Sequence, residues 1–151
     1  SIENVALINI EGSGMIGVPG TASRVFTALA KARINVIMIS QASSEHSICL
    51  VCREAEADKA VSLLKEELGD ELQRKIIQQF DRMNDLDIIA LICKNMRGTP
   101  GISGKLFNSL GRNGVNILAI AQGSSERNIS FVIEKKDTQS ALNTIHKTFL
   151  E

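Results

Sequence analysis

The sequence predicts an α+β protein built from two copies of a β-α-β-β-α unit, with an antiparallel sheet carrying its helices on one face. Three observations predict it. The chain matches itself at an offset of 81 residues, apolar β-branched runs of strand length recur in each copy, and stretches with helical apolar spacing separate them.

The self-match needs no gap. Ile8 falls on Ile89, Met15 on Met96, Gly17 on Gly98, and Pro19-Gly20 on Pro100-Gly101. Phe26 meets Phe107, Leu29 meets Leu110, and Asn35 meets Asn116. Gln41 lands on Gln122, and Ser43-Ser44-Glu45 on Ser124-Ser125-Glu126. Ile48, Val51 and Ala60 keep the register with Ile129, Val132 and Ala141, and Arg24 pairs conservatively with Lys105.

Each copy reads alike. Val5 to Ile10 is an apolar strand followed by a Gly-rich loop through Gly20. Ala22, Val25, Phe26 and Leu29 then keep helical spacing, as do Ser103, Leu106, Phe107 and Leu110. Pro19 and Pro100 are expected in a first helical turn, where the missing N–H costs nothing. Asn35 to Gln41 and Asn116 to Gln122 read as strands ending in a glutamine. The polar turn Ser43 to His46 leads into the strand Ser47 to Arg53, so these strands form a hairpin. A second helix carries Ala60, Val61, Leu64 and Leu68, answered by Ala141, Leu142, Ile145 and Phe149, with Asp137 as the expected N-cap.

That arrangement is one strand short of a split β-α-β fold. In the first copy Lys75 to Met83 is the candidate fourth strand, the alternative being a helix prolonged through Leu68 to Gln79. In the second copy nothing follows the helix, which leaves a missing last strand or an exchange of strands between units. The expected division is residues 1–83 and 84–151. A chain that opens without methionine and stops before its last strand is expected to be a piece of a longer protein.

Composition narrows the function. A hydrophobic share of 44% supplies a core, and 17 basic residues cancel 17 acidic ones, so no basic surplus suggests nucleic acid. Aromatic residues make up 3%, with neither Trp nor Tyr, which removes base-stacking platforms. No apolar run approaches the roughly 18–20 residues that cross a bilayer, and the N-terminus lacks a signal-like stretch. Three cysteines without a disulfide spacing suit a reducing compartment, and the cytoplasm is expected.

Several motifs invite chemistry. Gly12-Ser13-Gly14-Met15-Ile16-Gly17 spells G-x-G-x-x-G between a strand and a helix, the pattern of dinucleotide sites. Against it, the next strand ends in Ser40-Gln41 where an acid should meet the ribose, and the second copy has Cys93 and Asn95 at the first two glycines. A small NAD(P)-dependent oxidoreductase is therefore the runner-up, and an RNA module comes third for want of aromatic strand positions. Cys49 and Cys52 have C-x-x-C spacing inside a strand, where residues three apart face opposite sides, so buried structural cysteines are expected. His46 and His146 are expected on the surface without metal partners. The run Lys65-Glu66-Glu67 with Asp70, Glu71, Arg74 and Lys75 reads as a solvated face. No nucleophile–base set is assembled, so neither catalysis nor a metal or cofactor is expected.

The repeated polar positions suit a free amino acid. A helix N-terminus offers unpaired N–H groups and a positive dipole end to a carboxylate. Gly17, Gly20, Gly98 and Gly101 allow close approach, and the neutral amides of Gln41 and Gln122 can meet an ammonium or a hydroxyl.

Gly14-Met15-Ile16-Gly17-Val18-Pro19-Gly20-Thr21-Ala22 and the stretch Asn35 to Ser47 resemble the regulatory region of aspartate kinases, most closely that of the bifunctional aspartokinase–homoserine dehydrogenases. The resemblance covers essentially the whole chain. It implies two tandem ACT domains of ferredoxin-like βαββαβ fold and feedback inhibition by an end-product amino acid, usually threonine, with lysine the other candidate. By position, it implies an effector site at Gly17, Pro19, Gly20, Ala22 and Gln41 with Asn116 and Ile117 from a facing domain. A second site takes Gly98, Gly101, Ser103 and Gln122 with Asn35 and Val36. The acidic loop residue of many monofunctional relatives is replaced here by Gly17, leaving backbone carbonyls to meet the ammonium. Neither the kinase catalytic domain nor the dehydrogenase nucleotide fold lies within these residues, so a regulatory role without catalysis is implied. A homodimer or larger homo-oligomer, binding neither nucleic acid nor membrane, completes the expectation.

Overall fold

The computed structural model describes residues 1–15, 20–41, 46–94, 96, 98–122 and 127–151, with Gln41 described by its backbone alone. The first apolar run forms β1 (Ile2–Glu11), followed by a 3-10 turn at Ser13–Met15 and helix α1 (Thr21–Lys31). Strands β2 (Val36–Gln41) and β3 (Ser47–Arg53) come next, then helices α2 (Glu54–Glu67) and α3 (Gly69–Gln73). The long strand β4 (Gln79–Ile92) opens the second copy's series: α4 (Ile102–Arg112), β5 (Ile117–Gln122), β6 (Asn128–Glu134) and α5 (Thr138–Phe149). The expected β-α-β-β-α order is present twice. None of the described helices is long and apolar enough to cross a membrane.

The described residues fall into two compact units, Asn4–Asp85 and Ser1–Glu3 with Leu86–Glu151. In the first, the strand order is β2-β3-β1-β4; in the second it is β1-β4-β6-β5. Antiparallel ladders pair Val5 with Arg53 through Glu11 with Ser47, and Leu86 with Glu134 through Ile92 with Asn128. The first copy's fourth strand therefore starts at Gln79, after the short α3 and a break at Lys75, whose φ of 58° ends helical progress. The second unit takes Ser1–Glu3 from the far end of the chain. Asn4 and Asp85, equivalent in the repeat, both adopt positive φ (58° and 57°) where β1 and β4 pass from one unit to the other. Asn and Asp tolerate that conformation better than other side chains.

Strand alternation puts Ala6, Ile8 and Ile10 with Ile48, Leu50 and Cys52 beneath Val25, Leu29, Ala60 and Leu64 of the helices. The second unit repeats this with Ile89, Ile129, Phe131 and Ile133 beneath Leu106, Leu110 and Ala141. Phe107 meets Phe131 edge-on, ring centres 6.0 Å apart. Cys52 lies in the first core and Cys49 on the other face, as their spacing implies; burial pushes both thiols above their ordinary range, which suits inert structural cysteines.

Two local expectations change. Pro100 precedes the N-cap Gly101, outside the helix, because the chain turns there before α4 begins; Pro19 lies outside the described residues. Asp137 does precede α5, but its side chain makes no capping bond, since a 3-10 turn at Lys135–Asp137 leads in. Instead the Thr138 hydroxyl donates to the buried carboxylate of Asp87, at 2.6 Å.

The charged run is only partly solvated. Arg24 of α1 donates to the carboxylate and the backbone carbonyl of Glu67 (3.3 and 2.7 Å) and to the carboxylate of Glu71. The hydrogen bond from Arg24 holds the Glu71 carboxyl below its ordinary range. A depressed folded-state value stabilises above the unfolded carboxylate pKa of about 4.3 and fades as pH falls through the lowered value. The urea midpoint of wild type should therefore exceed that of Glu71→Gln by a constant margin near neutrality, and the margin should close on acidification below about pH 4.

Candidate functional site

Both helices that follow a Gly-rich loop start in the same way. Gly20 and Gly101 stand at the N-caps with φ of 91° and 90°, a conformation that L side chains adopt only at a cost. Their carbonyls accept the first helical bonds, from Arg24 and Lys105 at 2.9 Å, and neither helix has a side-chain cap. The N–H groups of the first turn are left for other acceptors.

In the second unit this start opens onto a cavity of about 330 Å³, at the small end of ligand pockets, which span about 300–1,000 Å³. Its lining includes Gly98, Gly101, Ser103 and Gln122, so four sequence-derived site residues share one space. Thr99 completes the polar rim; Met96, Pro100, Ile102 and Ile129 supply apolar contact. Gln122 reaches this space because its Cα partner in the ladder is Ile129, on the helix-facing row. Gln122 is exposed, and the bond its Nε2 donates to the Met96 sulfur, at 3.9 Å, is a weak one. Among the described residues, no charged side chain lines the cavity. A carboxylate would meet the α4 N–H groups, and an ammonium would rely on carbonyls and the Gln122 oxygen.

The first copy is described less fully. Gly17 and Pro19 lie outside the described residues, and Gln41 is seen only as the backbone partner of Ile48. Gly20 is exposed and Ala22 is half-buried against the first core. Asn116 precedes β5 and Ile117 opens it, five strand steps or about 16 Å from Gln122, so the cavity of their own unit does not bring them together with Gln122. Asn35 and Val36 stand equivalently before and at the start of β2. Met96 and Ile129 were not assigned to the site from the sequence, although the exact repeats Met15–Met96 and Ile48–Ile129 were the available signal.

The dinucleotide pattern has a packing cause. A Cβ on Gly12 would lie 2.1 Å from the Ile76 carbonyl oxygen, and one on Gly14 would lie 2.6 Å from the Ile76 side chain. The oxidoreductase reading has no other feature behind it. His46 and His146 are exposed, and no group of potential metal ligands forms among the described residues.

Comparison with known proteins agrees with this fold. The chain is 42% identical over 149 residues to the chloroplastic bifunctional aspartokinase/homoserine dehydrogenase 2 of Arabidopsis thaliana, covering 99% of this chain and 16% of that protein. It is 37% identical over 147 residues to the bifunctional aspartokinase/homoserine dehydrogenase of Haemophilus influenzae, covering 97% and 18%. Among solved structures, the ligand-free regulatory subunit of aspartate kinase from Thermus thermophilus superposes with a TM-score of 0.81 at 27% identity, covering 97% of this chain and 94% of that one. The ACT-domain pattern matches residues 8–68 and again 89–149, and the chain belongs to the ACT-domain family, as a regulatory tandem pair of the aspartokinase kind.

Proposed function

We propose that this chain is the effector sensor of an aspartokinase and binds a free amino acid, L-threonine first, for feedback inhibition. The observation that carries the reading is the cavity at the start of α4, which gathers Gly98, Gly101, Ser103 and Gln122. Its donors suit a carboxylate, its apolar wall suits a short side chain, and the sequence resemblance to the bifunctional group implies threonine before lysine. Completion of each site by Asn116 and Ile117, or by Asn35 and Val36, requires a second ACT unit. We assign that facing unit to a second copy of the chain, in a homodimer or larger assembly. The edge strands support it, since Ile39 on β2 and its repeat equivalent Ile120 on β5 are 47% and 44% exposed. Such apolar edges invite pairing. The cytoplasm is the proposed compartment, although plant relatives are chloroplastic by name.

A thermal-shift panel with threonine, lysine, methionine, serine and isoleucine tests the effector. At about 100 times its dissociation constant, threonine should add about 2.7 kcal/mol, a shift of several degrees. A shift with lysine alone would reassign the effector, and no shift with any of the five would reject the sensor reading. Sedimentation at tens of micromolar, roughly the range in which weak dimers form, should show at least a dimer; a stable monomer would remove the shared-site arrangement.

A further inference from the structure

We propose that Met96 is a site of oxidation by hydrogen peroxide, and that its sulfoxide disables the second copy's amino-acid site by capturing the Gln122 amide; the disabling step rests on the effector reading above. Met96 is 5% exposed and belongs to the second core, yet it also lines the cavity at the start of α4. Gln122 lines the same cavity and donates from Nε2 to the Met96 sulfur at 3.9 Å, so the sulfur lies on the cavity side. Backbone bonds hold the residue there, from the Met96 N–H to the Cys93 carbonyl at 3.4 Å and from the Thr99 N–H to the Met96 carbonyl at 3.2 Å. A peroxide molecule that enters the cavity therefore reaches a thioether that is otherwise enclosed by the core.

The chemistry balances with peroxide alone. A sulfur lone pair attacks one peroxide oxygen, and the S–O bond forms as the O–O bond breaks. The proton left on the new oxygen passes to the departing hydroxide, giving water. Sulfur loses two electrons and the peroxide gains them. A thioether accepts hydrogen bonds weakly, whereas the sulfoxide is polar and its oxygen is a good acceptor. The Gln122 amide nitrogen already stands beside that sulfur. The oxidised side chain thus holds the amide that the effector needs. It also adds an oxygen to a cavity of about 330 Å³, which has little room to spare for an amino acid.

Other methionines supply the controls. Met83 is 40% exposed, while Met38, at 7%, lies outside this cavity. Under dilute hydrogen peroxide, peptide mass spectrometry should show Met83 oxidised first, Met96 next and Met38 well behind. L-Threonine should slow the oxidation of Met96 and leave that of Met83 unchanged. In the Met83→Leu protein, oxidised until Met96 is converted, the Gln122 side-chain amide resonances should move. Threonine binding followed at the Ser103 amide resonance should weaken about tenfold. Met96 oxidising no faster than Met38 overturns the proposal, as do unmoved Gln122 resonances, an unchanged threonine titration, or equal protection of Met83 and Met96 by threonine. If threonine binds neither the reduced nor the oxidised protein, the effector reading falls and the disabling step with it; the oxidation rates and the Gln122 resonances still decide whether Met96 is the modified site.

Discussion

Gly12→Ala is expected to destabilise the first unit by more than about 3 kcal/mol, at or beyond the upper end of ordinary overpacking. The new methyl carbon would sit 2.1 Å from the Ile76 carbonyl oxygen and 2.8 Å from the Ile77 Cα. Both obstacles are backbone, so no rotamer change relieves them. The strap Ile76–Gln78 must lift or β1 must bend, and either breaks the bond from the Gln78 N–H to Glu11. For a unit of this size the melting temperature should drop by more than about 12 °C. Gly14→Ala meets mainly the Ile76 side chain and should cost less, about 1–3 kcal/mol. A dinucleotide site would behave otherwise, losing ligand while the fold survives. Urea unfolding of the two variants separates these cases; a Gly12→Ala protein as stable as wild type would contradict the packing account.

Asp87 gives the second large effect. It is 1% exposed, and the Thr138 hydroxyl donates to it at 2.6 Å. At the equivalent positions the first copy has Ala6 and Ala57, both fully buried. One fold thus carries two solutions at one place, a polar pair and an apolar pair. Thr138→Ala should cost about 1.5–3 kcal/mol, because a buried carboxylate loses a donor. Asp87→Ala should cost a similar amount by leaving a cavity and an unpaired hydroxyl. The double variant copies the first unit's pair, so its loss should fall short of the sum by about 1–2 kcal/mol. Denaturant midpoints of the three proteins give the coupling, and strict additivity would mean that the pair does not act as one.

The repeat made most of the fold legible. A register that survives without gaps from Ile8 to Ala141 carries the strand and helix positions of one copy to the other, and periodicity does the rest. The fourth strand was harder. In the first copy it hides in the polar stretch after Lys75, where alternation is weak. In the second it comes from Ser1–Glu3, at the other end of the chain, where no local pattern points. Single contacts were illegible for a different reason. Arg24 and Lys105 look interchangeable in sequence, yet one meets two carboxylates and the other a phenyl ring, because their partners lie beyond the helical spacing that sequence reveals. Asp87 sits inside an apolar run with nothing nearby to announce Thr138. The candidate site was legible as far as repeated residues went. Gly98, Gly101, Ser103 and Gln122 line the cavity, while its apolar wall at Met96 and Ile129 entered only as positions kept in the repeat.

The central claim is that the cavity at the start of α4 receives an amino acid through Gln122. Titration calorimetry of L-threonine into wild type and Gln122→Ala tests it most directly. Loss of a hydrogen bond to a charged amino-acid group should weaken binding by roughly 1.5–3 kcal/mol, about ten- to a hundredfold. The melting temperature should barely move, because Gln122 is exposed at a strand end. Unchanged threonine affinity with a lowered melting temperature would make Gln122 a structural residue and contradict the account.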